Sequence, residues 1–247
     1  IALIGGADIT ANFRPGTMAI SIGMLLSALA MTWHLVHFHY VKFNKESMYE
    51  VSKKIILLCI PLLLSAQFIA GILNEALDLT DTNQELFISM SHNIFGVLSI
   101  AIVVPILEEV LFRGAIEGHL LRKGWSPKWA ILVSALIFGI IHGNPAQIPF
   151  AFLIGLLFGW LYYRTGSLVP GIVGHIINNS FGAWTMFTAT REELSQTTME
   201  TLGTTITYIL LVLAIIVFIG MYLYLNKYLP KPTNIQVKAI NEQDITI

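Results

Sequence analysis

Three short runs of polar residues interrupt otherwise apolar stretches of this chain. The first is Pro105-Ile-Leu-Glu108-Glu109-Val-Leu-Phe112-Arg113-Gly114, the second Phe138-Gly-Ile-Ile-His142, and the third His175-Ile-Ile-Asn178-Asn179. A charge inside a membrane-spanning segment costs at least ~2.5–3.5 kcal/mol on insertion scales, so a charge in such a setting is a functional candidate by default. Taken together, a glutamate, an imidazole and a His/Asn donor pair are the parts of a water-activating hydrolase. A carboxylate in a low-dielectric interior can hold or accept a proton near neutrality, as a general base should. A neighbouring imidazole can fix the same water. Donors at His175 and Asn179 can stabilise the oxyanion of a tetrahedral intermediate, each worth roughly 10²–10³ in rate.

Helical spacing sorts these residues. Glu109, Arg113 and Glu117 are successive i, i+4 neighbours, so Arg113 is expected between two carboxylates. Glu108 points about 100° away from Glu109 and is free to face another partner. A structural ion-pair cluster needs one partner for Arg113 and leaves Glu108 over. Phe138 and His142 share a helical face; packing of an imidazole at a helix end is the alternative, and Gly143-Asn144-Pro145 is a plausible helix stop. His175 and Asn179 are again i, i+4, where helix–helix hydrogen bonding is the alternative.

The elements that carry these runs must be transmembrane helices. The chain has 247 residues, 55% apolar and 12% charged, about half the charge of a soluble protein, which is roughly 25%. Mean hydropathy is +0.72. A net charge of −1 gives no electrostatic case for nucleic acid, and the single Cys59 permits no internal disulfide. The reading is an all-α, polytopic transmembrane helix bundle, because lipid cannot satisfy open backbone groups. Seven spans are expected: Thr17–Val36, Ile55–Leu77, Leu86–Leu107 (or on to Leu121), Trp129–Ile141, Ile148–Tyr163, Leu168–Phe187 and Leu202–Leu225. They form a single domain over 1–229, with the motifs in a core at 86–188 and a polar, mobile cytoplasmic tail at 230–247. The first residue is Ile1 rather than Met, and a further helix ahead of it would make eight spans in the full-length protein.

Orientation follows the basic residues. Lys42, Lys45, Lys53, Lys54, Arg122, Lys123, Lys128, Arg164, Lys227, Lys231 and Lys238 fall on one side if the spans alternate; Arg14 and Arg191 fall on the other. This puts the C-terminus in the cytoplasm; the expected location is a bacterial inner (cytoplasmic) membrane. Depth is less uniform. Glu108 and His142 each lie 17 residues from Trp125, so an antiparallel pair brings both about 25 Å from that turn. His175 lies about 8 residues beyond Ser167, or about 12 Å deep. Either its helix is offset inward, or the helical hairpin extends past the membrane.

Glu108-Glu109-x-x-x-Arg113, then Phe138-x-x-x-His142, then His175-x-x-x-Asn179 resembles the three ordered motifs of the CPBP family (CAAX protease and bacteriocin-processing, or Abi), which includes the type II CAAX prenyl endopeptidases. Phe112-Arg113-Gly114 also resembles the family's wording, and the matched block runs from about Pro105 to Asn179. The resemblance implies an intramembrane, glutamate-dependent endopeptidase. Carried over by position, Glu108 and His142 would activate water, and His175 and Asn179 would form the oxyanion hole. Glu109 and Arg113 would support the geometry, with Phe138 one turn before His142. Glu108 is preferred as base because Glu109 has the better register with Arg113. No cofactor is expected. Zinc held by Glu108, His142 and His175 is the alternative, although no His-Glu-x-x-His is present and three separate spans would have to supply the ligands.

Other signals are read as structural. His34, His37 and His39 sit at the basic end of the first span, where an interfacial role is expected, and His119 is assigned to the head-group region. Gly155-x-x-x-Gly159 and Gly114-x-x-x-Gly118 permit close helix packing. The acids of 78–85 and 192–193 read as solvated. The expected partners are membrane lipid and a peptide or protein substrate, lipidated or not, with no nucleic acid; the sequence sets no oligomeric state. Two rivals stand beside the peptidase. One is a non-catalytic scaffold or bacteriocin-immunity protein, and the other a proton-coupled transporter, for which no inverted repeat is visible.

Overall fold

The computed structural model describes residues 16–41 and 51–229. The expected tail at 230–247 lies outside the described residues, as do Arg14, Lys42 and Lys45. Every described element is helical. In chain order they are α1 (Thr17–His37), α2 (Lys53–Leu77), α3 (Gln84–Ser91), α4 (Ile94–Arg122), α5 (Pro127–Ile141), α6 (Ile148–Thr165), α7 (Val169–Thr188), α8 (Arg191–Ser195), α9 (Thr198–Leu202) and α10 (Thr204–Tyr228). Five of them, α1, α2, α4, α6 and α10, are long and apolar enough to cross a bilayer, and α5 is a shorter apolar helix. The protein is an all-α polytopic membrane bundle.

Local chemistry sets the helix ends. Ser52 accepts from the Ile55 amide to start α2, and prolines occupy the first turns of α5, α6 and α7, where a missing N–H costs nothing. Gly166, at φ +65°, ends α6 in a left-handed cap. The third span departs from expectation. A helix from Leu86 does not run through; α3 stops at Ser91, and Asn93 caps a new helix by accepting from the Gly96 amide. Gly96 lies so close to α3 that a Cβ there would come within 2.1 Å of the Met90 carbonyl oxygen, so the two helices cross at a glycine. The span then runs unbroken from Ile94 to Arg122, the longer of the two lengths expected.

Packing explains which helices face lipid. Cys59, Leu62 and Leu63 of α2 meet Ile154, Phe158 and Leu161 of α6 and Leu225 of α10 in the largest apolar cluster. The outer face of α10 leaves Ile206, Ile209, Val212 and Ile216 more than half exposed, as a hydrocarbon-facing helix should. Helix α7 carries the polar third run and packs against α2, α3, α4 and α6.

The depth mismatch resolves by an inward offset of α7. Ser167 and Leu168 are buried, and Leu168 packs with Val110 and Tyr162 rather than at the membrane surface. A Cβ on Gly171 would lie 2.6 Å from Glu109 Oε2. The first turn of α7 therefore already stands beside the glutamates of α4.

Candidate active site

Helix α4 positions the first run. It is α-helical over Val104–Glu109 and π-helical on both sides, over Ser99–Val103 and Val110–Glu117. Such i→i+5 turns are rare and concentrate at functional sites. Glu109 and Arg113 are almost fully buried and paired: Arg113 Nη1 donates to Glu109 Oε1 at 3.0 Å. Arg113 Nη2 donates to the Gly155 carbonyl at 3.2 Å, and its Cζ lies 4.5 Å from the Phe138 ring centroid and 5.4 Å from that of Phe158. The guanidinium is thus held by a carboxylate, a carbonyl and two aromatic faces.

Arg113 is not held between two carboxylates. Glu117 makes no ion pair with it, and both Glu117 oxygens are buried without a hydrogen-bond partner. The reason is the opposite wall: Gly159 of α6 opens a notch, and Glu117 Oε2 sits where a Cβ at that position would be 2.7 Å away.

His175 joins the two adjacent glutamates. Its Nδ1 lies 3.1 Å from Glu109 Oε1, and its Nε2 lies 3.4 Å from Glu108 Oε2. With one ring proton His175 can donate to one of these carboxylates; serving both takes a second proton, on the imidazole or on Glu108. Phe138 packs edge-on against both His142 and His175, at 5.0 and 5.8 Å between centroids. His142 stands at the end of α5, its Nδ1 2.7 Å from the Phe138 carbonyl. A carbonyl only accepts, so Nδ1 carries the hydrogen and the neutral ring keeps Nε2 as its free acceptor.

A cavity of about 300 Å³ is lined by Glu108, Phe138, His142, His175, Asn178 and Asn179, with Met24, Phe87, Phe150 and Ile154 among its apolar walls. The four residues expected to do chemistry therefore share one cavity, with Glu109 and Arg113 packed behind it. The expected donor pair is engaged elsewhere in part. Asn179 Nδ2 donates to the Ile100 carbonyl at 2.9 Å and Asn179 Oδ1 accepts from Asn178 Nδ2 at 3.0 Å, leaving one amide hydrogen uncommitted.

Among the described residues no three His, Cys, Asp or Glu side chains form a group that could hold an ion. His34, His37 and His39 form no such group either; His37 stacks on Trp33 and His34 on Tyr40, and both pack against Phe38. His119 is exposed and away from the cavity.

Sequence reasoning missed Asn83 and Gln147, which also line the cavity. It also read Asp81 as solvated, whereas Asp81 Oδ1 accepts from Asn144 Nδ2 at 2.7 Å and from the Asn83 amide at 2.8 Å. A polar loop residue two positions after His142 was the available signal, and it was read as a helix stop. The acids at Glu192 and Glu193 lie exposed as expected. Glu193 closes a capping box, and hydrogen bonds from the Thr190 amide and hydroxyl hold its carboxyl below the usual carboxylate range.

Residues 90–181 match the family model described as type II CAAX prenyl endopeptidase, Rce1-like. Over that segment the chain resembles this family. That segment holds every motif residue of the cavity described above. Over 81 residues the chain is 38% identical to YdiL of Bacillus subtilis, named as a candidate membrane peptidase, covering 33% of each chain. It is 33% identical over 106 residues to MroQ of Staphylococcus aureus, named a membrane-embedded CAAX protease, covering 41% of this chain and 42% of that one. It is 28% identical over 122 residues to YxdF of Lactococcus lactis, covering 49% and 63%. The chain thus spans less than two-thirds of the length of each of these relatives. No solved structure gives a significant match. Two of these relatives, YdiL and MroQ, carry names of membrane peptidases.

Proposed function

We propose that this integral membrane protein is an intramembrane, glutamate-dependent endopeptidase whose active site is the Glu108–His142–His175–Asn179 cavity. The observation that carries the reading is Glu108. It is the glutamate that lines the cavity, while its neighbour Glu109 is sealed behind with Arg113. The buried ion pair with Arg113 accounts for Glu109, and Glu108, 3.4 Å from His175 Nε2, is the carboxylate left facing the cavity.

In this reading Glu108 takes a proton from a water that His142 Nε2 also holds. The hydroxide oxygen attacks the carbonyl carbon of the substrate. The tetrahedral oxyanion is met by the uncommitted Asn179 amide hydrogen and by the Nε2–H of His175, which turns from Glu108 once that carboxylate has gained its proton, and the C–N bond breaks as the proton passes from Glu108 to the leaving nitrogen. Water, peptide and products balance without a metal, an oxidant or a covalent enzyme intermediate. The substrate class is a peptide or protein that reaches the cavity through the membrane or its surface, lipidated or not. Lys53, Lys54, Arg122, Lys123, Lys128 and Lys227 fall at one end of the bundle and support a cytoplasmic C-terminus in a bacterial inner membrane.

The test is digestion of a peptide library by purified protein in detergent, with and without chelator, beside Glu108→Gln. Wild-type protein yields defined products that survive chelator, and Glu108→Gln loses about 10²–10⁴-fold in rate while keeping its unfolding temperature. Equal cleavage by Glu108→Gln removes the proposed base, and loss of products on chelation makes the enzyme metal-dependent. A scaffold would keep its biological effect as Glu108→Gln, and a proton-coupled transporter would show uptake driven by a pH gradient with no cleaved product.

A further inference from the structure

Asn144 is fully buried in a loop, two residues after His142 and across Gly143, whose φ of +60° turns the chain back toward α6. Its side chain does not serve its own helix end. Oδ1 accepts from the Thr82 amide at 3.1 Å and from the Thr82 hydroxyl at 3.4 Å, and Nδ2 donates to Asp81 Oδ1 at 2.7 Å. The same Asp81 oxygen takes the Asn83 amide. Asn144's own carbonyl accepts from the Gln147 and Ile148 amides and so starts α6.

Through its side chain and its backbone carbonyl, one residue therefore ties together three pieces of chain: the end of α5 with His142, the start of α6 with Gln147, and the crossover at 79–83 that leads into α3. Each contributes to the cavity wall, through His142, Gln147, and Asn83 with Phe87. We infer that Asn144 is a positioning residue, a latch that holds the 79–83 crossover against the α5–α6 turn and so sets the distance across the cavity between His142 and the Asn83/Phe87 wall. It touches no reacting atom; it acts through His142 and through that wall. This rests on the proteolytic reading above for its kinetic consequence, but the latch itself can be read without any substrate.

The chemistry of the Asn144–Asp81 bond supplies a specific test. Asn144→Asp sets a carboxylate against a carboxylate, breaks the 2.7 Å bond and leaves buried charge unpaired. Adding Asp81→Asn reverses donor and acceptor: the new amide at 81 donates to the new carboxylate at 144, which still accepts from Thr82, while the Asn83 amide gives up its bond to that atom. A protein that merely needs bulk at 144 gains nothing from the second change.

Two readouts are taken on the full chain in detergent. The first is maleimide labelling of Phe87→Cys in a Cys59→Ser background. Asn144→Asp raises the labelling rate about tenfold or more, and the Asp81→Asn/Asn144→Asp double variant returns it to the starting value. The second is kcat/KM on a peptide that the wild type cleaves. Asn144→Asp lowers it about 10–100-fold and lowers the unfolding temperature, and the double variant recovers both, the activity to within about fivefold. Labelling unaffected by Asn144→Asp, or a double variant no better than the single one in both readouts, overturns the latch. If the wild type cleaves no peptide, the proteolytic reading falls, and the labelling rates still decide the latch.

Discussion

Arg113 shows how a single buried cation is made tolerable. Taking a guanidinium out of water costs several kcal/mol, offset here by Glu109, the Gly155 carbonyl and two aromatic faces. Removing one partner of such a pair leaves the other charge buried alone. Arg113→Met is expected to cost about 3–5 kcal/mol of stability, read as a lower unfolding temperature in detergent. Glu109→Gln with Arg113→Met removes both charges and is expected to lose less than the single change. Glu117 gives the contrast. Its carboxyl is buried and neither oxygen has a hydrogen-bond partner, so Glu117→Gln is expected to leave the unfolding temperature unchanged or raise it. A destabilised Glu117→Gln would mean that Arg113 draws on both carboxylates after all. At this scale the sequence was informative about identity and less so about pairing. Residue type and i, i+4 spacing found the Glu109–Arg113 bond, but the position of Glu117 depends on a glycine 42 positions away on another helix, which no local pattern reports.

At the scale of elements, the site depends on how closely α7 can approach α4 and α2. Gly171 and Gly174 make that approach possible: a Cβ on the first would stand 2.6 Å from Glu109 Oε2, and on the second 2.4 Å from Leu63 Cδ1. Small residues at a helix–helix contact let backbones come together, and His175 follows Gly174 directly. Gly171→Ala is expected to push the first turn of α7 off Glu109, lengthening the 3.1 Å His175–Glu109 contact. Peptide cleavage should fall at least tenfold while helix content by circular dichroism stays the same; unchanged cleavage would show that the contact has slack. Hydropathy was enough to find the helices, since each expected span overlaps an observed helix. It could not find the break at His92–Asn93, because that break follows from a glycine crossing and an asparagine cap inside an apolar run. Nor could it choose between an offset α7 and a protruding hairpin, because that choice rests on the burial of Ser167 and Leu168 by neighbouring helices.

For the whole molecule, the two ends of the bundle are chemically unlike. Lys53, Lys54, Arg122, Lys123, Lys128 and Lys227 gather at one end, where α2, α5 and α7 begin and α4, α6 and α10 finish. The other end holds the 79–83 crossover, the Asn144 turn, the Glu85–Arg191 ion pair and the bond from Thr198 to Glu75. The cavity reaches that second end, since Asn83 and Gln147 lie in its wall at the element boundaries there while Glu108 and His175 lie deeper. If basic residues mark the cytoplasmic side, as the positive-inside rule requires, the mouth of the cavity faces away from the cytoplasm. Single cysteines test this, because the chain's one native cysteine, Cys59, is buried. In a Cys59→Ser background, Thr80→Cys should react with a membrane-impermeant maleimide on intact cells. Lys123→Cys should react after permeabilisation alone. The opposite pattern would turn the bundle over and open the cavity to the cytoplasm. The outcome decides which peptides can arrive, because a substrate made in the cytoplasm must then cross or enter the bilayer before Glu108 can meet its carbonyl.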